Sequence, residues 1–225
     1  MKKHIKIKKV FAAILSFVLI AVICIPGYAA QGEENELEPQ LECSQMLYVP
    51  NVLQTKTNWC WAACMSSMIK YYTGVDRTCE QLVMEKYNDK LNVTLDILEV
   101  QSFLENNYHI TSLYQSATYS TTSSSSNEDD YAPPFGIDTI MAQLNAGKPM
   151  IALWGIDLAS GHFVIICGYN YNDITGEFLV TYMDPFDATK KTVSYESFCR
   201  GKVMVNGEEK DSRFDGVLYS LGMTS

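Results

Sequence analysis

Hydrophobic residues recur at three- and four-residue intervals from Trp61 through Met65 and Met68 to Tyr72, which predicts a helix with one buried face. Thr73-Gly74 marks its end, and Asn58 or Thr57 can cap its start, since short polar side chains accept the orphan first-turn N–H groups. Two more stretches read as helix: Thr78 to Tyr87, carrying Leu82, Val83 and Met84, and Thr94 to Asn106, carrying Ile97, Leu98, Phe103 and Leu104. A short amphipathic helix over Ile137 to Asn145 stops at Gly147. Beyond it the pattern changes to apolar runs rich in branched residues, Pro149 to Trp154, His162 to Tyr169 and Phe178 to Met183, punctuated by Asn172-Asp173 and Thr175-Gly176. Lys191 to Val193 and Val217 to Leu221 add strands, Tyr195 to Cys199 a helical turn, and Met46 to Val49 a short edge strand stopped by Pro50. Helices come first and an antiparallel sheet follows, so the expected class is α+β.

The ends of the pattern differ from its middle. Met1 to Lys9 carries five lysines, Val10 to Ile25 is apolar, and Gly27-Tyr28-Ala29 offers a small-x-small cleavage site. That layout is expected of a secretory signal peptide over residues 1–30, cut after Ala29 or Ala30, and the run is short for a membrane span. The expected location is therefore extracellular, with no stable membrane insertion after cleavage. Residues 31–45 are polar and acidic and read as a linker, leaving 46–225 as the folded domain. Within it, residues 116–130 are rich in Ser, Thr and acid, with the run Ser123-Ser124-Ser125-Ser126, and read as a flexible surface loop.

Charge narrows the partners. Five of the 17 basic residues lie in the leader and none of the 26 acidic ones, so the remainder carries 12 against 26, or −14. A chain that acidic has no long-range attraction for nucleic acid or anionic lipid. Six cysteines remain beyond the leader: Cys43, Cys60, Cys64, Cys79, Cys167 and Cys199. Their spacing is not that of a thioredoxin-type C-x-x-C site. No metal is expected, because His109 and His162 are the histidines beyond the leader and neither has a ligand-spaced neighbour.

Cys60 falls in the first turn of the predicted Trp61 helix, where the helix dipole and free N–H groups favour a thiolate. A buried structural thiol or half a disulfide is the competing reading. A nucleophilic cysteine needs a base and a group to orient it. His109 sits in the polar helix end Asn106-Asn107-Tyr108-His109, where a surface or capping histidine is expected. His162 opens an apolar strand, and a polar ring there needs a partner. Asp184 ends the next strand, in Met183-Asp184-Pro185; if the two strands pair antiparallel, its carboxylate comes near the His162 end, with Asp187 as the fallback. Trp61 reads as core, whereas Trp154 can line a cleft.

Gln54-(five residues)-Cys60-Trp61-Ala62, then Gly161-His162 heading a strand, then Asp184-Pro185, resembles the papain-like cysteine peptidases. The Cys-Trp-Ala-Ala run is closest to secreted bacterial members, the avirulence-protease and bacteriocin-processing-peptidase-like groups. The resemblance implies a two-lobed fold, an N-terminal helical lobe with the nucleophile and a C-terminal antiparallel sheet lobe with His162 and Asp184. It implies Cys60 as nucleophile, His162 as general base, Asp184 as its orienter, and Gln54 with the Cys60 N–H as oxyanion donors. It implies peptide or protein substrates and no cofactor. The chain departs from classical papain relatives in having Asp184 where they have Asn, and no cysteine shortly before the nucleophile. The favoured role of Cys64 is a disulfide to Cys79; Cys43 with Cys199 is a second pairing, and Cys167 is expected buried and free. Two other classes remain open: acyl transfer or cell-wall amide cleavage with the same triad, and a non-catalytic papain-like binding protein.

Overall fold

The computed structural model describes residues 42–119, 131–156, 160–205 and 208–224. The expected leader, most of the acidic linker and residues 120–130 of the expected loop lie outside the described residues. The chain runs β1 (Glu42–Met46), α1 (Cys60–Thr73), α2 (Cys79–Tyr87), α3 (Ile97–Tyr108), β2 (Ile110–Ser116), β3 (Thr118–Tyr119), β4 (Tyr131–Ala132), α4 (Ile137–Asn145) and β5 (Met150–Gly155). It continues β6 (Gly161–Asn172), β7 (Glu177–Asp184), β8 (Thr189–Ser194), α5 (Tyr195–Cys199), β9 (Arg200–Val205) and β10 (Glu208–Met223).

Helices α1 to α3 follow from local chemistry. The α1 stripe buries Trp61, Met65, Met68 and Ile69 completely, against β6, α2 and α3. Its end is Gly74 at φ +73°, a left-handed conformation that glycine adopts without cost. Thr78 and Gln81 close a reciprocal capping box on α2. Asp96 caps α3, two residues later than the spacing alone suggests, because its carboxylate accepts the Leu98 N–H. His109 ends α3 as its left-handed C-cap.

The main sheet is antiparallel throughout, in the order β2-β10-β5-β6-β7-β8, with β9 extending the β10 hairpin. Its centre is β6, whose first half pairs with β5 and whose second half pairs with β1. That division explains two departures from the pattern reading. The N-terminal strand is Glu42–Met46 rather than Met46–Val49, so the last residues of the expected linker are ordered. β5 stops opposite Gly161, while the other end of β6 runs on past Ile166, and β1 satisfies the backbone edge left there. At Gly168 the strands approach closely: a Cβ would stand 3.0 Å from the Gln45 carbonyl oxygen, tighter than most real Cβ contacts. The third departure is β2, an edge strand whose outer residues, including Leu113 and Tyr114, are exposed and so lack a clean alternation. The last strand is far longer than Val217–Leu221, because its polar first half pairs with β9 outside the apolar core.

Candidate active site

Cys60 is the first residue of α1, and a web of loop contacts fixes that start. The Trp59 and Trp61 indoles donate to the Leu91 and Val93 carbonyls at 2.8 and 3.0 Å. Asn92 Oδ1 accepts the Asn58 N–H at 3.1 Å, its amide donates to Thr57 Oγ1 at 3.0 Å, and its carbonyl accepts the Asn58 amide at 2.9 Å. Asn58 and Thr57 are therefore committed to this loop and neither caps α1. The N-cap is Trp59, which makes no side-chain cap bond, so the first-turn N–H groups are left to whatever enters beside Cys60. On the other flank the Gln54 N–H donates to the Pro185 carbonyl at 2.8 Å, tying the loop to the turn after β7.

His162 lies at the start of β6, where the chain one residue earlier passes close to β5. A Cβ at Gly161 would meet Leu153 at 2.7 Å and the Trp154 carbonyl oxygen at 3.1 Å. Ile165 pairs with Met183 across β6 and β7, so Asp184 falls on the diagonal from His162 and on the same face. His162 Nε2 and Asp184 Oδ1 are 2.7 Å apart, and both residues are buried. The Cys60 thiol and the same imidazole line one cleft. With Nε2 on Asp184, Nδ1 is the nitrogen left for sulfur.

Burial alone would push the His162 pKa down, but the hydrogen bonds to Asp184 and Cys60 and their negative charge outweigh it, raising it to about 9. Burial works the other way on Asp184, and is again overcome: the His162 hydrogen bond and charge, Lys191 and the Phe186 N–H hold the carboxyl well below the usual carboxylate range. The Phe186 N–H reaches Asp184 Oδ1 at 3.0 Å, and Lys191 Nζ reaches Oδ2 at 2.7 Å. Asp187 does not approach the imidazole; it accepts from Lys191 at 3.0 Å and from Thr189.

Gln54, Asn58, Cys60, Thr94, Gly161 and His162 line one cleft, with Ile156 and Phe186 at its apolar side. The Gln54 side-chain amide donates to the Lys56 and Thr57 carbonyls at 3.3 and 3.1 Å, while its Oε1 is buried without a partner among the described residues. Trp61 is core, as its spacing suggests. Trp154 does not line this cleft: it is buried behind His162, its indole N–H donating to the Phe198 carbonyl at 2.9 Å.

The expected Cys64–Cys79 bridge does not form, nor does Cys43–Cys199; all six cysteines are free thiols. Cys64 is wholly buried, whereas the Cys79 thiol points to the Leu53 carbonyl at 3.6 Å. Cys43 meets the Tyr169 hydroxyl at 3.3 Å on β1, away from α5. Among the described residues no group of three or more His, Cys, Asp or Glu is placed to hold a metal ion, and no helix is long and apolar enough to cross a membrane. Lys191 and Asn92 carry no recognisable motif for this role. Lys191 sits in a lysine pair on a polar strand, and Asn92-Val93-Thr94 shows only a glycosylation pattern.

Among α+β proteins, a thiol at a helix start against a histidine and aspartate on an antiparallel sheet marks the papain-like cysteine peptidases, and this chain is one of them. Residues 46–204 match the model of the Peptidase_C39 like family, and the chain belongs to that family. No curated protein matches it. Of solved structures, it is similar to the crystal structure of UfSP from C. elegans, at a TM-score of 0.49 and 11% identity. The match covers 81% of this chain and 34% of that one, so the chain spans about a third of that protein's length.

Proposed function

We propose that this protein is a secreted thiol peptidase that cleaves peptide bonds through Cys60, His162 and Asp184. The observation that carries the reading is the buried His162–Asp184 hydrogen bond at 2.7 Å, with the His162 ring sharing one cleft with Cys60 at the start of α1. Cys60 Sγ attacks the scissile carbonyl while Nδ1 of His162 holds the thiol proton. The C–N bond then breaks as that proton passes to the leaving amine. Water, deprotonated by the same ring, hydrolyses the acyl-enzyme. Asp184 keeps the proton-bearing Nε2 in place and stabilises the imidazolium.

The tetrahedral oxyanion needs donors. The Cys60 N–H lies outside the helix's own ladder and is the donor at hand. Gln54 stands on the cleft wall, but its amide hydrogens now serve the loop carbonyls. Half a turn about its last torsion puts that nitrogen where the unpartnered Oε1 sits, which is the motion its role as second donor requires. Ile156 and Phe186 on the wall of the same cleft favour an apolar side chain near the cut.

A peptide-library digest tests the reading, with wild-type protein and the Cys60→Ala and His162→Ala variants in parallel. Cleavage by the wild type alone, through a thioester trapped at position 60, is the expected outcome. Equal inertness of all three under reducing conditions would reject it. Export is tested separately, by N-terminal sequencing of protein recovered from culture medium, with Gln31 or Ala30 expected first.

A further inference from the structure

Asp184 divides its carboxylate between two partners. Oδ1 takes the His162 ring and the Phe186 N–H, while Oδ2 takes Lys191 Nζ at 2.7 Å. Lys191 is gripped from its other side by Asp187 at 3.0 Å. The strand register sets this up: Tyr182 pairs with Lys191 across β7 and β8, so Asp184 lies one diagonal step along the same face. Exposed ion pairs are worth little, yet the carboxylate here is one-tenth exposed and the ammonium half-buried, so solvent screens this pair less than a surface one.

We propose that Lys191 is a positioning residue for peptide cleavage: it fixes the plane of the Asp184 carboxylate and shares its charge, so that His162 can release its proton to the leaving amine. The inference rests on the Cys60–His162–Asp184 reading. A carboxylate held through Oδ1 alone is free to turn about its Cβ–Cγ bond. Its undivided charge would also hold the imidazolium more tightly, and a more tightly held proton makes a poorer general acid. The charged and titratable groups around the pair are Cys60 and Cys64 on α1, Tyr182 on β7, Asp187 in the turn and Lys191 on β8. Lys191 is the cation among them.

The test compares full-length wild type with Lys191→Met and Lys191→Arg on a quenched-fluorescence peptide that the wild type cuts. Lys191→Met should lower kcat about tenfold, a part of the roughly 10²–10⁴-fold that general acid–base catalysis supplies, with KM unchanged. The alkaline limb of its kcat/KM profile should move to higher pH, and Lys191→Arg should restore both readouts. An alkaline limb that stays in place or moves down overturns the inference, whatever happens to the melting temperature. Cys60→Ala, run alongside, separates the two claims. If it is inert while Lys191→Met behaves as wild type, this inference alone fails; if it cleaves normally, the triad reading fails first.

Discussion

Trp154 stands directly across the β5–β6 ladder from His162, with ring centroids 6.2 Å apart and the indole wedged against Tyr182 and Phe198. The imidazole therefore has an aromatic wall behind it, on the side away from the Cys60 cleft. That wall keeps water from the His162–Asp184 hydrogen bond, where low local dielectric strengthens it.

Trp154→Ala should remove both wall and packing. A buried tryptophan truncated in a filled core costs about 3–5 kcal/mol, and peptide cleavage should fall with it. Trp154→Phe keeps the ring contacts and loses chiefly the indole bond to Phe198, at about 1 kcal/mol. Urea denaturation with kcat/KM measured on the same samples checks this. Equal stability of the Ala and Phe variants would contradict the wall.

The pH dependence of stability follows from the same pair. His162 is raised from 6.5 to about 9, so its contribution is complete below about pH 6.5 and is lost as pH climbs through about 9. Asp184 is depressed, so its contribution is complete above about pH 4, its ordinary value, and is lost as pH falls below that. The two overlap in the His162–Asp184 pair and are not added; the histidine rise, to which Cys60 also contributes, amounts to about 3 kcal/mol. Thermal melts across pH should show the wild type losing stability toward pH 9, and His162→Gln should flatten that loss.

Much of this site was readable beforehand because its key residues punctuate strong patterns. Cys60 opens an apolar stripe, His162 heads an apolar strand and Asp184 ends one, so each lies where periodicity itself marks a boundary. What escaped depends on register between distant segments. Lys191 reaches Asp184 only because β8 pairs with β7 in one alignment, and Asn92 meets Asn58 across a loop with no periodicity at all. The cap of α1 was misread for that reason, since propensity favours Asn58 locally while a tertiary partner claims it. The first strand was hidden likewise: Glu42–Met46 has no apolar alternation and is ordered by the unpaired edge of β6.

Asn92 makes a distinct prediction from that web. It forms three hydrogen bonds to the loop that delivers Cys60, all solvent-facing, so each contributes at the low end of the usual range. Asn92→Ala should cost about 1 kcal/mol of stability yet lower kcat/KM about tenfold or more, because a displacement near 1 Å at the reacting atoms is expensive. Asn92→Asp, which keeps the acceptor for the Asn58 N–H, should retain more activity than Ala. Indistinguishable kcat/KM for wild type and Asn92→Ala would remove the loop from the mechanism.

The free thiols supply the last prediction. With six unpaired cysteines, a reductant should leave the melting temperature unchanged, whereas a Cys64–Cys79 bridge would make it fall. Alkylation of the native protein near neutral pH should reach Cys60 and the exposed Cys43 first, and spare Cys64, Cys79, Cys167 and Cys199 until unfolding. Burial raises the thiol pKa of each of those four, so they lack both access and thiolate. Cys60 is nearly as buried as Cys79, so exposure does not separate them; the His162 ring in the same cleft does. His162→Ala should therefore erase the preference for Cys60 and leave Cys43 labelling untouched. Peptide mapping after timed iodoacetamide exposure reads both, and equal labelling of Cys60 in the two proteins would break the coupling between ring and sulfur on which the reaction depends.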